Sequence, residues 1–524
     1  MVAQWVAWGV EHVVLCPGSR SAPLAFAAYA AHQRGQVRLH TRIDERTAGF
    51  LALGIAKTSG RPAVVFTTSG TAAANLHPAV LEAAHAGVSL VAVTADRPAR
   101  LRGTGANQTT AQVGLYADAA TTFDLASIDD LHGRGVPAGF PVHLNLQFDE
   151  PLTPTGLDVD DVPDVPTAVV TATGAALTPV VLPVGPRTVV VAGDDSGPPA
   201  RMLAQQANWP LFAEPSSGAR TGANPIRTYR LLIEGELGGQ IERAVVFGHP
   251  TLSRPVNRLL SRPDIDVISV PPRGRWTRRP YPVVAEHDAV AVEQADDTPW
   301  LEAWKRADQV CSDALDAVVL SGDLGPHAVA REVSLAVPPG GMLYVGASNP
   351  IRDLDLMAAS PTPGQHRKVV ANRGLAGIDG TLSSAIGAAL TRPGRRNLAL
   401  VGDVTFLHDL TGLVLGPEED RPDLSVVVVN DDGGSIFAVL EQGAAEFAPA
   451  FERLFATPHG LDLGTLCAAL GVPHWRVESA MELRHALASP HGGIEVIEAR
   501  CRRDNRRALD EQIRGLVRSA GSAS

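Results

Sequence analysis

The chain has 524 residues, 45% of them hydrophobic and 19% charged, a balance that builds packed cores and excludes disorder over most of the length. Forty-five Lys and Arg against 56 Asp and Glu leave a net charge of −11, so the basic face needed for non-specific nucleic-acid binding is missing and small molecules are the expected partners. At roughly 150 residues per domain the length predicts about three domains.

Short β-branched runs alternate with Ala- and Leu-rich segments of helical length, the pattern of doubly wound parallel sheets, and the fold class is α/β. The first group of strands is predicted over 13–16, 37–43, 63–67, 90–95 and 142–147, with a helix over 71–86, giving a domain over 1–155. A linker over 156–186 follows; Pro166, Pro179, Pro183 and Pro186 rule out a membrane helix in its uncharged stretch. Strands over 188–192, 244–248 and 267–270 form a central domain over 187–298, ending near Arg273, Arg275, Arg278 and Arg279, a run most simply read as a solvated face. The last domain, 299–524, carries a helix over 300–319 and strands over 342–346, 368–371, 398–401, 424–430 and 494–498, then a frayed tail beyond Arg518. The outer two domains share a Gly-Thr turn before an Ala-rich helix, at Ser69-Gly70-Thr71-Ala72 and Asp379-Gly380-Thr381-Leu382.

Cys16, Cys311, Cys467 and Cys501 are isolated from one another, which suits a reducing cytoplasm better than a disulfide framework or a zinc site. No signal peptide is read at the start. Gly70, Gly103 and Gly105 do not make the Gly-rich turn of a dinucleotide site.

The strongest chemical signal lies in the last domain, where one strand runs into Gly402-Asp403 and the next into Asn430-Asp431-Asp432-Gly433-Gly434. In a parallel sheet both turns sit at strand C-termini around one crevice. There an Asp and an Asx can converge on a hard cation while glycine amides meet a phosphate. Singly each is an ordinary turn sequence; the ordered pair points to a magnesium-diphosphate site.

This pattern resembles the motif of thiamine-diphosphate enzymes. The resemblance implies thiamine diphosphate with Mg2+ or Mn2+, the metal held by Asp403, Asp431 and the main-chain carbonyl of Gly433. It implies cofactor contacts from Thr68, Gly70, Ile378, Asp379, Gly380, Thr381, Gly402, Val404, Thr405, Asn430 and Gly434, with Ile378 beneath the thiazolium ring. Glu45 would be the catalytic acid against the aminopyrimidine, although a lone first-turn Glu is otherwise explained by the helix dipole. The chain departs from the pattern at Val404, where the family has Gly, and at Asp431, where it has Asn.

Within that superfamily, Cys16-Pro17-Gly18-Ser19-Arg20-Ser21-Ala22-Pro23-Leu24, Ile43-Asp44-Glu45-Arg46, Thr94-Ala95-Asp96-Arg97-Pro98, Gly105-Ala106-Asn107-Gln108, Ala347-Ser348-Asn349-Pro350-Ile351-Arg352, Asn372-Arg373-Gly374 and Gly434-Ser435-Ile436-Phe437 are similar, in order, to signatures of the 2-succinyl-5-enolpyruvyl-6-hydroxy-3-cyclohexene-1-carboxylate synthases of menaquinone biosynthesis. That resemblance implies decarboxylation of 2-oxoglutarate and carbon–carbon joining to isochorismate, in a homodimer or homotetramer with sites between subunits. Ser19, Arg20, Arg97 and Gln108, with Asn107 beside them, would face isochorismate; Ser348, Arg352 and Arg373 would hold the oxoacid. Ile436, Phe437 and Leu440 are either a substrate wall or a helix packing face, and His408 and Asp409 are read as capping residues. The helix before Val13 and the stretch 116–141 are short for the family. Two alternatives stay open: another thiamine-dependent 2-oxoacid decarboxylase or carboligase, which needs fewer arginines, and a silent binding protein on the same fold, suggested by Val404 and Asp431.

Overall fold

The computed structural model describes residues 1–131, 135, 138–156, 177–358, 361 and 364–520. Most of the expected linker, part of the short stretch 116–141 and the end of the tail lie outside these residues.

The first sheet contains β1 (His12–Leu15), β2 (Arg38–Thr41), β3 (Ala63–Thr67), β4 (Leu90–Asp96), β5 (Thr121–Leu125) and β6 (Val142–Gln147), all parallel, in the order β2-β1-β3-β4-β6-β5. Its central strands β3 and β4 are buried along their whole length, as continuous apolar strands of a sheet covered on both faces must be. A two-stranded ribbon pairs β7 (Val180–Val181) with a strand met further along the chain. The central sheet uses β8 (Thr188–Ala192), β9 (Leu211–Ala213), β10 (Arg243–Phe247), β11 (Asp266–Ser269) and β12 (Ala285–Glu286), ordered β12-β11-β10-β8-β9. The ribbon's second strand is β13 (Val290–Ala291). The last sheet contains β14 (Met342–Val345), β15 (Lys368–Val370), β16 (Asn397–Gly402), β17 (Leu424–Asn430), β18 (His474–Val477) and β19 (Ile494–Arg500), ordered β15-β14-β16-β17-β19-β18. Strand for strand this repeats the order of the first sheet.

The expected strands recur within two residues at each end, the second narrowing from 37–43 to Arg38–Thr41. The helix expected over 71–86 is two helices, Thr71–Asn75 and His77–Ala86, because Pro78 in the first turn of the second has no amide to continue the first. The Gly-Thr turns do not correspond as expected. Gly70 follows β3 with φ 77° and ψ −134°, whereas Gly380 follows β15 with φ 61° and ψ 14°. By position in the duplicated sheets the helix Thr381–Leu390 matches Glu45–Ser59, the helix after β2.

Those two matching helices cross at glycines. A Cβ on Gly54 would stand 2.0 Å from the Ser384 carbonyl oxygen, and one on Gly387 would stand 2.1 Å from that of Leu51. The close approach joins the outer sheets in one core containing Leu51, Leu53, Ile55, Leu382, Ile386 and Val426. A second core joins the central and last sheets through Phe212, Tyr229, Trp304, Val345 and Leu354. Among the described residues no helix is long and apolar enough to cross a membrane.

Candidate active site

β16 ends at Gly402, the helix Asp403–His408 starts at once, and the neighbouring β17 ends at Asn430 with Gly402 in register with Val429. The two motif turns therefore lie side by side. Asp403 is 2% exposed; its Oδ1 accepts from the Val404 amide (2.7 Å) and its Oδ2 from the Gly433 amide (2.9 Å). Burial raises its carboxyl above the usual range. Asp431 is pushed up to about 7, first by burial and then by the negative charge of Asp403, while Ser435, Arg506 and Arg503 pull it back. Two buried carboxylates, the charge of one raising the proton affinity of the other, mark a place that a cation would relieve.

A cavity of about 140 Å³ opens on this pair, lined by Asp403, Asp431, Gly433, Gly434, Ser348 and Ile378, with Gly402, Val404, Thr405, Ile436 and Phe437 around them. Gly402 faces open space, its nearest neighbour for a Cβ being Pro350 Cγ at 4.0 Å, and the buried Asn349 Oδ1 has no hydrogen-bond partner. Among the described residues no three His, Cys, Asp or Glu side chains gather as a metal cluster. Two carboxylates and a carbonyl suit a hard divalent cation that takes its remaining oxygens from a diphosphate. The residues present fit the group.

Several predicted contacts fall elsewhere. Asn430 is fully buried, donating to Glu498 Oε1 (2.6 Å) and accepting from the Asp432 amide (3.1 Å), so its side chain builds the turn. Asp432, at φ 60°, anchors a second loop by accepting from the amides of His459 (3.1 Å) and Gly460 (2.8 Å). Gly380 and Thr381 lie outside the cavity lining; Gly380 abuts the Phe50 ring and Thr381 donates to the Ile378 carbonyl (3.0 Å). Asp379 also lies outside it. Ile436 and Phe437 line the cavity but Leu440 does not, since Ser435–Val439 is a 3-10 turn on which i and i+4 do not share a face. Asp409 accepts from the Ser383 amide (2.7 Å), and burial pushes its carboxyl up to about 6, in keeping with a structural role.

Beside the cavity, Ser348 has φ 71° and ψ −135°, and its carbonyl accepts from Arg352 Nη1 (2.5 Å). Arg352 is pushed down to about 10, by burial and then by the charges of Arg373 and Arg230. Arg373 donates to Thr251 Oγ1 (2.9 Å) and keeps a buried Nε without a partner. These guanidiniums gather with donors to spare, an arrangement made for carboxylates.

A second group forms on the first sheet. Arg97 Nη1 donates to Ser69 Oγ (2.7 Å) and to the Gln108 carbonyl (3.2 Å), and Gln108 Nε2 donates to the Ser69 carbonyl (2.8 Å). Gln108 takes φ 57° to do so. Burial, then the charge of Arg20, lowers Arg97, so these two cations also converge. Thr68 packs against Gly18, where a Cβ would meet it at 2.3 Å; Gly70 donates its amide to Gln112 (2.8 Å); Ser19 and Asn107 are exposed.

Glu45 opens its helix half-buried and accepts from Asn75 Nδ2 (3.1 Å). Asp44 is the cap, accepting from the amides of Arg46 (2.9 Å) and Thr47 (3.4 Å), which leaves Glu45 without that duty. The cavity lining comes entirely from residues 326–437, so within one chain neither Glu45 nor the Arg20–Arg97 pair belongs to it.

The reading of 273–279 as a solvated face holds for Arg273 and Arg278, which are exposed, but not for Arg275 and Arg279. Arg279 is half-buried and donates to Ser269 Oγ (3.0 Å) and the carbonyls of Gly248 (2.6 Å) and Val270 (2.9 Å), while Arg273 and Arg275 pair with Asp195 and Asp118. Sequence reasoning missed His459, whose Nε2 lies 3.3 Å from Asp403 Oδ2, and Arg230, Arg503 and Arg506. They stand far from the motifs in sequence, and only tertiary folding brings them there.

Residues 1–115 match the thiamine pyrophosphate enzyme N-terminal TPP binding domain, and residues 356–499 match the C-terminal TPP binding domain. The protein is thus an enzyme of the thiamine-diphosphate class, built on its parallel α/β fold. A 2-succinyl-5-enolpyruvyl-6-hydroxy-3-cyclohexene-1-carboxylate synthase of Nocardioides sp. is 60% identical, covering 98% of this chain and 96% of its own. Namesakes from Kineococcus radiotolerans and Paenarthrobacter aurescens are 46% and 43% identical, covering 99% and 98% of this chain and 98% and 95% of their own. The chain belongs to the 2-succinyl-5-enolpyruvyl-6-hydroxy-3-cyclohexene-1-carboxylate synthase family.

Proposed function

We propose that the protein decarboxylates 2-oxoglutarate and adds the remaining succinyl unit to isochorismate in menaquinone biosynthesis, with thiamine diphosphate and Mg2+ or Mn2+, in the cytoplasm. The observation that carries this reading beyond family membership is the pair of separate arginine groups: Arg352, Arg373 and Arg230 beside the cavity, Arg20 and Arg97 on the first sheet. Two polycarboxylate substrates need two such sites, whereas a pyruvate-type decarboxylase needs fewer carboxylate clamps.

When bound, thiamine diphosphate supplies the nucleophilic carbon and electron sink for decarboxylation. Asp403, Asp431 and the Gly433 carbonyl would hold its metal, and Gly402, beside which a Cβ would find open space, would let its diphosphate approach the main chain. Arg352 and Arg373 orient the oxoacid by its carboxylates, with Ser348 at the mouth. Ile378, Ile436 and Phe437 exclude water, which keeps stray protons from the reacting carbon. Arg20, Arg97, Gln108 and Ser19 hold the second substrate. Glu45, spared the capping role, holds a proton at its carboxyl toward the aminopyrimidine.

In this reading 1–155 is the pyrimidine-binding domain, 187–298 the central domain behind the linker 156–186, and 299–524 the diphosphate-binding domain. Glu45 lies outside the cavity lining of its own chain, which favours a homodimer or homotetramer in which it serves a neighbour's cavity. The test follows isochorismate consumption in purified protein with thiamine diphosphate, Mg2+ and 2-oxoglutarate. Wild type consumes both substrates and Glu45→Gln loses at least about a hundredfold in rate, the usual weight of general acid–base catalysis. A cofactor-loaded protein that leaves isochorismate untouched would remove the substrate assignment.

A further inference from the structure

Resting on the reading of 402–403 and 430–434 as a metal-diphosphate site, an aspartate at 431 raises a question of charge. A divalent cation is matched by two carboxylates, Asp403 and Asp431, leaving the charge of a diphosphate unanswered; an amide at 431 would leave one positive charge to meet it.

The reverse side of the turn holds the answer. Arg503, just after β19, packs against the back of Gly433, where a Cβ would stand 2.9 Å from Arg503 Nη1. That Nη1 is buried and has no hydrogen-bond partner. Its Nη2 donates to Glu452 (2.8 Å), whose side chain is 62% exposed and therefore a weak neutraliser. Arg503 and Asp431 line one cavity of about 460 Å³ behind the turn, together with Phe451 and Arg507. The neighbouring Arg506 also draws on Asp431, but it is already committed to another carboxylate. It grips Asp353 with both Nη atoms (2.5 and 3.1 Å), and both residues are buried.

We propose that Arg503 is the counter-charge that lets an aspartate stand at 431: a positioning residue that touches neither cofactor nor substrate and restores the charge a diphosphate requires from behind the turn. Its effect must then depend on the carboxylate of Asp431, which a purely structural arginine's would not.

The test is calorimetric binding of thiamine diphosphate in Mg2+, read without turnover. Arg503→Met in the native chain should weaken binding by about tenfold or more, and the same change on top of Asp431→Asn by less than about twofold, the difference being the coupling between the two charges. Arg503→Lys should keep most of the affinity. Equal losses from Arg503→Met with and without Asp431→Asn would overturn the proposal. If Arg503→Met proves too unstable to purify, Arg503→Gln against Arg503→Lys serves: loss in the first alone supports it, and equal affinities overturn it. A wild type that binds no thiamine diphosphate would instead sink the underlying site assignment, and this proposal with it.

Discussion

Ser348 occupies a conformation, φ 71° and ψ −135°, that glycine adopts freely and other residues rarely do; Gly70 shows nearly the same angles after β3. Such a backbone costs about 1–3 kcal/mol for a residue with a Cβ, and it persists where the site needs the side chain. Ser348→Gly is therefore expected to unfold at the same or a higher temperature than wild type while raising KM for 2-oxoglutarate, measured by calorimetry and steady-state kinetics; a lower unfolding temperature would show that the strain is not there. Arg97 makes a different case. Its Nη1 alone donates to both Ser69 and Gln108, so the rest of the planar guanidinium is the part that an ammonium cannot copy. Arg97→Lys should raise KM for isochorismate by about tenfold, the worth of one charge-assisted hydrogen bond, with KM for 2-oxoglutarate unchanged. At this scale the sequence was most readable where residues sit in contiguous turns, as Asp403 and Asp431 do. It pointed to Asn430 as a cofactor contact, gave no sign of its turn toward Glu498, which depends on a strand about seventy residues away, and was silent about His459.

Between elements, the crossing of Glu45–Ser59 with Thr381–Leu390 couples the two outer sheets. Backbone contact at Gly54 and Gly387 leaves no room for a methyl group, and neither neighbour can yield, because each is a carbonyl already inside a helix. Gly54→Ala or Gly387→Ala should destabilise the protein by about 1–3 kcal/mol or more through overpacking, seen as a lower unfolding temperature. The shift of Thr381–Leu390 should also disturb Ile378 just before it, so thiamine diphosphate binding should weaken in parallel; intact binding would show that the crossing serves stability alone. Sequence patterning found the long apolar strands but passed over β5, β9 and β18. β5 and β18 are half-exposed, with polar residues on their faces, and β9 has three residues, so none offers the uninterrupted apolar run that identifies a central strand. The same blindness hid the duplication, because its evidence is strand order, and strand order is set by contacts distant in sequence.

Over the whole molecule, buried histidines set the response to acid. Burial lowers His12 to about 4, His40 to about 3, His143 to about 4 and His327 to about 4. His12 and His40 share a hydrogen bond (2.9 Å), so the pair cannot accept two protons without breaking. Next to them Arg42 and the Thr41 amide hold Glu419 (2.9 and 2.8 Å), tying the first sheet to the last. The unfolded chain binds these protons near pH 6.5, where the folded chain refuses them. Stability from this source is thus complete above about 6.5 and drains as pH falls toward 4. Glu214 works in the opposite direction: burial pushes it up to about 8, so the folded form binds a proton that the unfolded chain has released above its usual carboxylate range, and stability from this source declines as pH rises toward 8. Asp409, pushed up to about 6, and Asp431, pushed up to about 7, work in the same direction as Glu214. Four histidines outweigh these three carboxyls on the acid side and have nearly finished titrating above neutrality, which places the maximum between about 6 and 7. Unfolding temperature measured from pH 4 to 9 should peak between about 6 and 7 and fall on both sides of it. Replacing His143 with Gln, which keeps a hydrogen-bonding side chain for Thr94 but cannot take up the proton, should flatten the acid limb; an unchanged limb would mean that these histidines already accept protons in the folded state.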